Sequence, residues 1–206
     1  MGAELGWLLA SYLLGAIPTS HIVSRTIARI DLRKHGSGNL GATNLYRVLG
    51  WKYAVPVALF DIAKGAIPVL VFAPQASDSE LFAVGCGVAA ILGHVFSVFV
   101  GFKGGKGVAT AAGVMLGLTP LALSVAALVW AVVVRVTGYV SLASIAAAAI
   151  LPVTVYLLEQ PNSPELLWID ILVAAGVIIL HRKNIQRLIK GTENRFGRRA
   201  ASSTPR

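Results

Sequence analysis

Seven apolar segments follow one another along the 206-residue chain and leave room for little else. They cover residues 5–23, 53–73, 81–100, 107–118, 120–135, 139–158 and 166–180. A helix that spans the hydrocarbon core of a bilayer needs about 20 mostly apolar residues. Lipid offers no hydrogen-bond partners to backbone N–H and C=O groups, which favours helices because they pair these groups internally. The sequence therefore predicts an all-α, polytopic membrane bundle that forms a single domain over residues 1–206. We expect its basic end, residues 197–206, to be disordered.

The composition is that of a membrane protein. Apolar residues make up 56% of the chain and charged residues 13%, whereas charged residues are about a quarter of a soluble domain. A net charge of +9 would suggest nucleic acid in a soluble protein. Here we expect basic loops that contact anionic lipid headgroups, and no nucleic-acid partner. A lone cysteine, Cys86, excludes an intrachain disulfide, and we predict neither a metal nor a cofactor. The sequence does not indicate an oligomeric state.

The basic residues decide between six and seven spans. Segments 107–118 and 120–135 could form one long tilted helix or two short spans, because Thr119 and Pro120 interrupt them. With seven spans, every Lys and Arg except Lys64 lies on one face of the membrane, whereas six spans would move Arg135 and the basic C-terminal region to the other face. The positive-inside rule therefore predicts seven transmembrane helices, with the N-terminus outside and the C-terminus inside.

The first inside loop contains SGNLGATN at residues 37–44, which we call the serine loop, followed by Arg47. Glycines let backbone amides approach an anion, and the planar guanidinium of Arg47 matches a phosphate. An alternative is a glycine-rich turn that only joins two helices. The candidate ligands here are Ser37, Gly38, Asn39, Gly41, Thr43, Asn44 and Arg47.

The second inside loop, GFKGGKG at residues 101–107, leads into an apolar segment and is called the glycine loop below. Glycines that precede a helix can bind an anion through backbone amides and the helix dipole. Lys106 is followed by Gly107, where a Walker A loop needs Ser or Thr, so nucleotide hydrolysis is not supported. The alternative is a flexible basic loop against lipid headgroups. The candidate ligands are Lys103, Gly104, Gly105, Lys106 and Gly107.

A third polar motif, HRKNIQRLIKGTE, begins at His181, where the last apolar segment ends. His181 and Asn184 are three residues apart and would share one helix face. A basic amphipathic anchor at the membrane surface is the alternative. Because all three motifs lie on the same predicted face, we infer one shared site for an anionic, phosphorylated ligand.

Ionisable residues inside a span are costly and usually face the bundle interior. Asp61 and Lys64 are three residues apart, so they can pair, and we favour a structural ion pair over direct contact with a ligand. His94 could either position the glycine loop or bind substrate. No His is followed five positions later by Asp, so the local His–Asp pair of many glycerolipid acyltransferases is absent.

Taken in order, five motifs resemble the bacterial acyl-phosphate:glycerol-3-phosphate acyltransferase family of the PlsY type, over essentially the whole chain. The motifs are SGNLGATN with Arg47, FDIAKG at 60–65, GHVFSVFVGFKGGKGVAT at 93–110, GYVSLASI at 138–145 and HRKNIQRLIKGTE at 181–193. The resemblance implies a multi-pass enzyme of phospholipid biosynthesis in the bacterial inner membrane, with its active site facing the cytoplasm. Such enzymes transfer a fatty acyl group from acyl phosphate to the sn-1 hydroxyl of glycerol 3-phosphate, giving lysophosphatidic acid and phosphate.

The same resemblance implies roles for single residues. Arg47 and Lys106 would hold phosphates and offset developing charge, while Ser37, His181 and Asn184 would orient glycerol 3-phosphate. A substrate phosphate, and no protein base, would take the proton. The expected partners are the two substrates and membrane lipids.

Two other classes of protein remain as alternatives. A transporter or flippase for a phosphorylated metabolite would place its site near the midplane, and only Asp61 and Lys64 favour that class. A basic lipid-binding scaffold would explain the charge but not the glycines.

Overall fold

The computed structural model describes residues 2–159 and 164–196, and over these residues it contains helices and loops but no β-strand. The all-α class is therefore confirmed. The tail at 197–206, predicted to be disordered, lies outside the described residues. The α-helices of the described part are α1 (Gly2–Ala16), α2 (Thr19–Ala28), α3 (Ala42–Leu49), α4 (Trp51–Ile67), α5 (Glu80–Val95), α6 (Val108–Leu118), α7 (Pro120–Thr137), α8 (Val140–Thr154), α9 (Pro164–Leu180) and α10 (Arg182–Ile189).

Each of the seven predicted apolar segments coincides with helix in the structure. Among the described residues, five stretches are long and apolar enough to cross a membrane: Gly2–Ala28, Trp51–Gln75, Glu80–Val100, Pro120–Thr137 and Val140–Glu159. Two further apolar helices, Val108–Leu118 and Leu166–Leu180, are shorter. The count of seven spans and the orientation of the termini stay predictions.

Prolines and glycines set the breaks between helices. Pro18 separates α1 from α2 within the first apolar segment. At Thr119 the backbone leaves the helical region, with φ −141° and ψ 64°, and Pro120 begins α7. Residues 107–118 and 120–135 therefore form two helices, and the single long helix is excluded. Gly138, at φ +74°, ends α7 in the left-handed conformation that only glycine adopts readily.

Two helix pairs pack so closely that backbone meets backbone. A Cβ atom added to Gly113 of α6 would lie 1.9 Å from the carbonyl oxygen of Ile62 in α4. A Cβ on Gly93 of α5 would lie 2.1 Å from the carbonyl oxygen of Tyr12 in α1. Small residues permit this approach in membranes, where van der Waals packing drives helix association. The contacts fix α6 against α4 and α5 against α1, and the glycine loop lies between α5 and α6 in the chain.

Two of the apolar clusters in the described part of the chain hold the bundle and its loops together. One cluster, formed by Val69, Val114, Met115, Ala122, Ala126, Leu151 and Val155, joins the segment after α4 to α6, α7 and α8. The other lies beneath the serine loop and is formed by Leu32, Leu40, Leu45, Val57 and Val100. Leu40 belongs to the serine loop itself and Val100 immediately precedes the glycine loop, so this second cluster anchors both loops to the bundle.

Candidate functional site

A cavity of about 460 Å³ is lined by residues from all three polar motifs and by the helices next to them. Its polar end is formed by the serine loop, α3, the end of the glycine loop and the start of α10. Its apolar walls come from α6 to α9 and include Ala112, Met115, Leu123, Ala126, Ala147, Ala148, Leu151, Val173 and Ala174. One cavity therefore joins charged groups to a hydrocarbon-like surface.

Most of the sequence-predicted site residues line this cavity, although they are far apart in the chain. They are Ser37, Asn39, Gly41, Thr43, Asn44, Arg47, His94, Lys106, Gly107, His181 and Asn184. The lining does not include Gly38, Lys103, Gly104 or Gly105. Lys103 is exposed, so its predicted role as a ligand has no support from its position.

A buried carboxylate, Glu193, organises the cations at the polar end. Its Oε1 accepts hydrogen bonds from Asn184 Nδ2 at 2.8 Å and from Ser141 Oγ at 3.0 Å. Its Oε2 pairs with Arg187 Nε at 2.6 Å. Asn184 Oδ1 in turn accepts a hydrogen bond from Lys106 Nζ. Burial opposes the charge of Glu193, but the bonds from Arg187, Asn184 and Ser141 outweigh it and lower its pKa.

Sequence reasoning missed Glu193 and Ser141 as members of the site. Both were in motifs that the resemblance used, Ser141 in GYVSLASI and Glu193 in the final GTE. A further signal was available, because Glu193 is the only acidic residue after position 170 in an otherwise strongly basic region.

The described part of the protein provides hydrogen-bond partners for only some of the N–H groups of the Arg47 guanidinium. Its Nη2 donates to the carbonyl oxygen of Asn194 at 3.4 Å, and its buried Nε has no partner in the described part of the chain. Burial lowers the pKa of Arg47, the charge of Glu193 opposes that shift and Arg187 reinforces it. Arginine nevertheless stays protonated in proteins, so a charged donor with spare capacity faces the cavity.

The segment after α10 crosses the polar end and ties distant elements together. The carbonyl of Asn194 meets Arg47, and the amide of Phe196 donates to the carbonyl oxygen of Gly138 at 2.6 Å. The ring of Phe196 stacks on Tyr46 of α3, with centroids 4.6 Å apart. These contacts link α3 to the start of α8 across the mouth of the cavity.

Lys106 and His181 both have pKa values shifted downward by burial. The pKa of Lys106 falls to about 8, because desolvation and the charges of Arg187 and Arg47 outweigh the attraction of Glu193. The pKa of His181 falls to about 4 through desolvation and the nearby charge of Lys106. His181 is therefore neutral at pH 7. Its Nδ1 lies 2.7 Å from the carbonyl oxygen of Val177, so Nδ1 carries the hydrogen and Nε2 is an acceptor.

Asn44, predicted to bind substrate, holds the serine loop in shape. Its Nδ2 lies 3.0 Å from the carbonyl oxygens of His35 and Asn39, and its Oδ1 accepts from the amide of Ser37 at 2.8 Å. The side chain is almost fully buried and both ends of the amide are in use. In this structure Asn44 positions Ser37 through these hydrogen bonds, and its role as a ligand stays a prediction.

Gly104 and Gly105 were predicted to offer their amides to a phosphate, and that expectation is wrong. The amide of Gly104 donates to the carbonyl oxygen of Val95 at 3.0 Å, and that of Gly105 to the carbonyl oxygen of His94 at 3.1 Å. A Cβ on Gly105 would lie 2.1 Å from Nε2 of His94. Glycine is required here because the loop packs against the end of α5. Gly107, at φ +76°, begins α6 and does line the cavity.

The predicted pairing of Asp61 with Lys64 is confirmed. Lys64 Nζ lies 2.7 Å from Asp61 Oδ1 and donates to the carbonyl oxygen of Ile17 at 2.9 Å. Thr19 donates to the same Asp61 oxygen at 3.0 Å. Asp61 lines the cavity, whereas Lys64 lies behind it. Nδ1 of His94, also on the cavity wall, lies 3.9 Å from Asp61 Oδ1.

Comparison with known proteins gives a consistent picture. The model of the family described as glycerol-3-phosphate acyltransferase matches residues 5–191. The chain is 49% identical over 196 residues to the glycerol-3-phosphate acyltransferase of Trichlorobacter lovleyi, a match that covers 95% of this chain and 99% of that protein. It is 45% identical over 193 residues to the protein of the same name from Geobacter sulfurreducens, with 94% and 97% covered.

Two crystal structures are also similar to this chain. Both are of PlsY, an integral membrane glycerol 3-phosphate acyltransferase. Its glycerol 3-phosphate form has a TM-score of 0.88 at 40% identity, and its lysophosphatidic acid form has a TM-score of 0.85 at 38% identity. Each match covers 95% of this chain and 96% of that chain.

The packing of the glycine loop gives a testable prediction. Gly105→Ala should lower the thermal stability of the detergent-solubilised protein, because the added Cβ meets His94 and the carbonyl oxygen of Leu40. Overpacking of this kind typically costs about 1–3 kcal/mol. Lys103→Ala, in the same loop but exposed, is the matched control and should unfold at the wild-type temperature. A Gly105→Ala protein as stable as wild type would restore the view that this glycine serves ligand approach alone.

Proposed function

The chain belongs to the glycerol-3-phosphate acyltransferase family, and on that premise we propose that it transfers a fatty acyl group from acyl phosphate to the sn-1 hydroxyl of glycerol 3-phosphate. The products are lysophosphatidic acid and inorganic phosphate. Family membership makes the protein an integral membrane acyltransferase of phospholipid biosynthesis. The observation that carries the finer proposal is the cavity, which joins buried cations to apolar walls in one space.

The polar end has the groups needed to bind phosphates. Arg47 and Lys106 supply positive charge, and both are largely withdrawn from water. Charge interactions are stronger in such a site than in bulk solvent. Ser37, whose backbone is held by Asn44, offers a hydroxyl on the same wall. These residues bind the two phosphate groups that the proposed substrates bring.

The apolar walls suit a fatty acyl chain. Alanine and other small residues of α6, α7 and α8 leave space between these helices. An acyl group that enters this space replaces water with hydrocarbon contact, which is favourable at about 25 cal/mol per Å² of apolar area buried. It also keeps water away from the activated donor, which limits hydrolysis.

The donor is proposed to be acyl phosphate because phosphate is already a good leaving group. The hydroxyl oxygen attacks the acyl carbon, and the bond between that carbon and the phosphate oxygen breaks. Phosphate leaves with the electron pair, and a phosphate oxygen of the substrates takes the hydroxyl proton. Lys106 and Arg47 stabilise the charge that grows on the leaving oxygen.

His181 and Asn184 take different parts in this scheme. Neutral His181 lies on the cavity wall and orients glycerol 3-phosphate there, while the proton of the attacking hydroxyl points to a substrate phosphate. Asn184 already bonds Lys106 and Glu193, so it is a positioning residue that holds the Lys106 ammonium in place.

The proposed location is the bacterial inner membrane, with the polar end of the cavity facing the cytoplasm. The support is the distribution of Lys and Arg, which favours the cytoplasmic side for the serine loop, the glycine loop and α10.

An assay of the purified protein in lipid tests the function directly. With labelled glycerol 3-phosphate, we expect labelled lysophosphatidic acid when acyl phosphate is supplied and none when acyl-CoA replaces it. Lys106→Ala should lose about 10²–10³ in turnover, as removal of a preorganised charge stabiliser typically does, whereas Lys103→Ala should stay active. Efficient use of acyl-CoA with inert acyl phosphate would refute the proposed donor.

The pKa values predict the pH dependence of kcat/KM, which reports groups of the free enzyme. Lys106 is charged below its pKa of about 8 and neutral above it, so kcat/KM should fall as pH rises through 8. Lys106→Arg should move that limb to higher pH, because guanidinium keeps its proton. His181 titrates near pH 4, so it should add no limb near pH 6.5.

The control for this pH profile is His181→Asn. This substitution should lower activity at every pH. Above pH 5 it should leave the shape of the profile unchanged, and any limb that comes from the substrate's own phosphate should remain. A wild-type limb near pH 6.5 that disappears in His181→Asn would identify His181 as a general base and overturn the role of the substrate phosphate.

A further inference from the structure

Two ionisable side chains of the membrane spans, Asp61 of α4 and His94 of α5, line the cavity outside the Glu193 cluster. The scheme above gives neither of them a task. They come from different helices, and no local motif in the sequence pairs them. Their side chains nevertheless approach to 3.9 Å, measured from His94 Nδ1 to Asp61 Oδ1.

The two oxygens of Asp61 have different surroundings. Oδ1 receives Lys64 Nζ at 2.7 Å and Thr19 Oγ1 at 3.0 Å, and both of these residues lie behind the cavity wall. Among the described residues, no hydrogen-bond donor reaches Oδ2. One oxygen therefore anchors the carboxylate, and the other remains available to a molecule in the cavity.

One ring nitrogen of His94, Nδ1, has no hydrogen-bond partner among the described residues. The residue is 8% exposed, and Nδ1 itself is buried. Such unpaired buried atoms are rare in proteins. Because Nδ1 is buried, it does not reach the cavity, and the imidazole serves as a polar neighbour of Asp61 on the cavity wall.

The chemistry of the pair selects the group that would bind. An ionised carboxylate only accepts hydrogen bonds, and it repels a phosphate. A hydroxyl can donate a hydrogen bond to Asp61 Oδ2, whereas a carbonyl or a methylene cannot.

The pair lies next to the phosphate-binding end of the cavity. The carbonyl oxygen of His94 accepts the amide of Gly105, which immediately precedes Lys106. Asp61, His94 and Lys106 line the same cavity, so one small molecule can present a hydroxyl to Asp61 and a phosphate to Lys106.

We propose that Asp61, with His94 beside it, binds the secondary hydroxyl at C2 of glycerol 3-phosphate and so selects the acceptor. The inference rests on the proposed function, because it assigns a partner group on that acceptor. Asp61 determines specificity and does not act as the base. Its charge balances buried Lys64, and a proton taken up by Asp61 would leave that ammonium unpaired in the membrane, which is strongly unfavourable.

The test compares two acceptors on wild type and variants, with acyl phosphate as donor in lipid. One acceptor is glycerol 3-phosphate, and the other is propane-1,3-diol monophosphate, which keeps the reacting hydroxyl and the phosphate but lacks the C2 hydroxyl. In wild type, loss of that hydroxyl should lower kcat/KM by roughly tenfold to a hundredfold, as expected for a hydrogen bond to a charged group.

The decisive variant replaces the buried pair by apolar residues, Asp61→Leu with Lys64→Met, since such replacements are often tolerated. In this variant the two acceptors should differ by less than about threefold, because no partner for the hydroxyl remains. Thr19→Val is the matched control. It also removes a bond to Asp61, but from behind the cavity, and should keep the wild-type preference. If the apolar variant does not accumulate, Asp61→Asn with Lys64→Gln should reduce the preference at least threefold.

The outcomes separate this inference from the proposed function. Equal loss of activity with both acceptors, and an unchanged preference, would show that Asp61 is structural or binds the reacting hydroxyl, and would overturn the inference alone. Wild-type protein that makes no acylated product from either acceptor would instead overturn the proposed function.

Discussion

The polar end of the cavity depends on the carboxylate of Glu193. Three cations, Arg47, Lys106 and Arg187, converge there, and without an anion their mutual repulsion in a site of low polarity would drive them apart. Glu193 bonds Arg187 directly and reaches Lys106 through Asn184. It also bonds Ser141 at the start of α8. The same carboxylate thus compensates charge and joins elements that are distant in sequence, while it leaves Arg47 and Lys106 with capacity for an incoming phosphate.

Packing at the other end of the site follows a different constraint. Within lipid, apolar side chains gain little by contacting one another in place of hydrocarbon tails, so close backbone contact has to hold the helices together. Gly93 and Gly113 supply that contact on α5 and α6. The alanines of α7 and α8 do not fill the space beside α6, and the cavity is what remains. Small residues thus have two effects. Gly93 and Gly113 let helix backbones touch, whereas the alanines of α7 and α8 leave the cavity open, and the difference comes from their positions in the helices.

The helices and the outline of the site could be predicted from sequence, because apolar length and basic loops are local patterns. Bringing Arg47, Lys106, His181 and Asn184 to one cavity needed only the inference that their loops share a membrane face. Functions that depend on contacts between distant segments could not be predicted. The amide of Gly105 looks free in sequence, and it bonds His94 only because α5 ends beside it. Asp61 and His94 belong to different helices, and the serine loop bends around Asn44 through carbonyls that no motif reveals.

The segment from Glu193 to Phe196, which crosses the polar end of the cavity, also affects how the protein is assembled during its own synthesis. Chains are made and inserted from the N-terminus onward, so α3 with Arg47 and the glycine loop with Lys106 reach the membrane early. The anion that compensates these charges, and the stack of Phe196 on Tyr46 of α3, arrive only with residues 181–196. A nascent chain therefore holds its cations apart or against lipid headgroups until residues 181–196 have been made. The site is completed only when this segment joins the helices made before it.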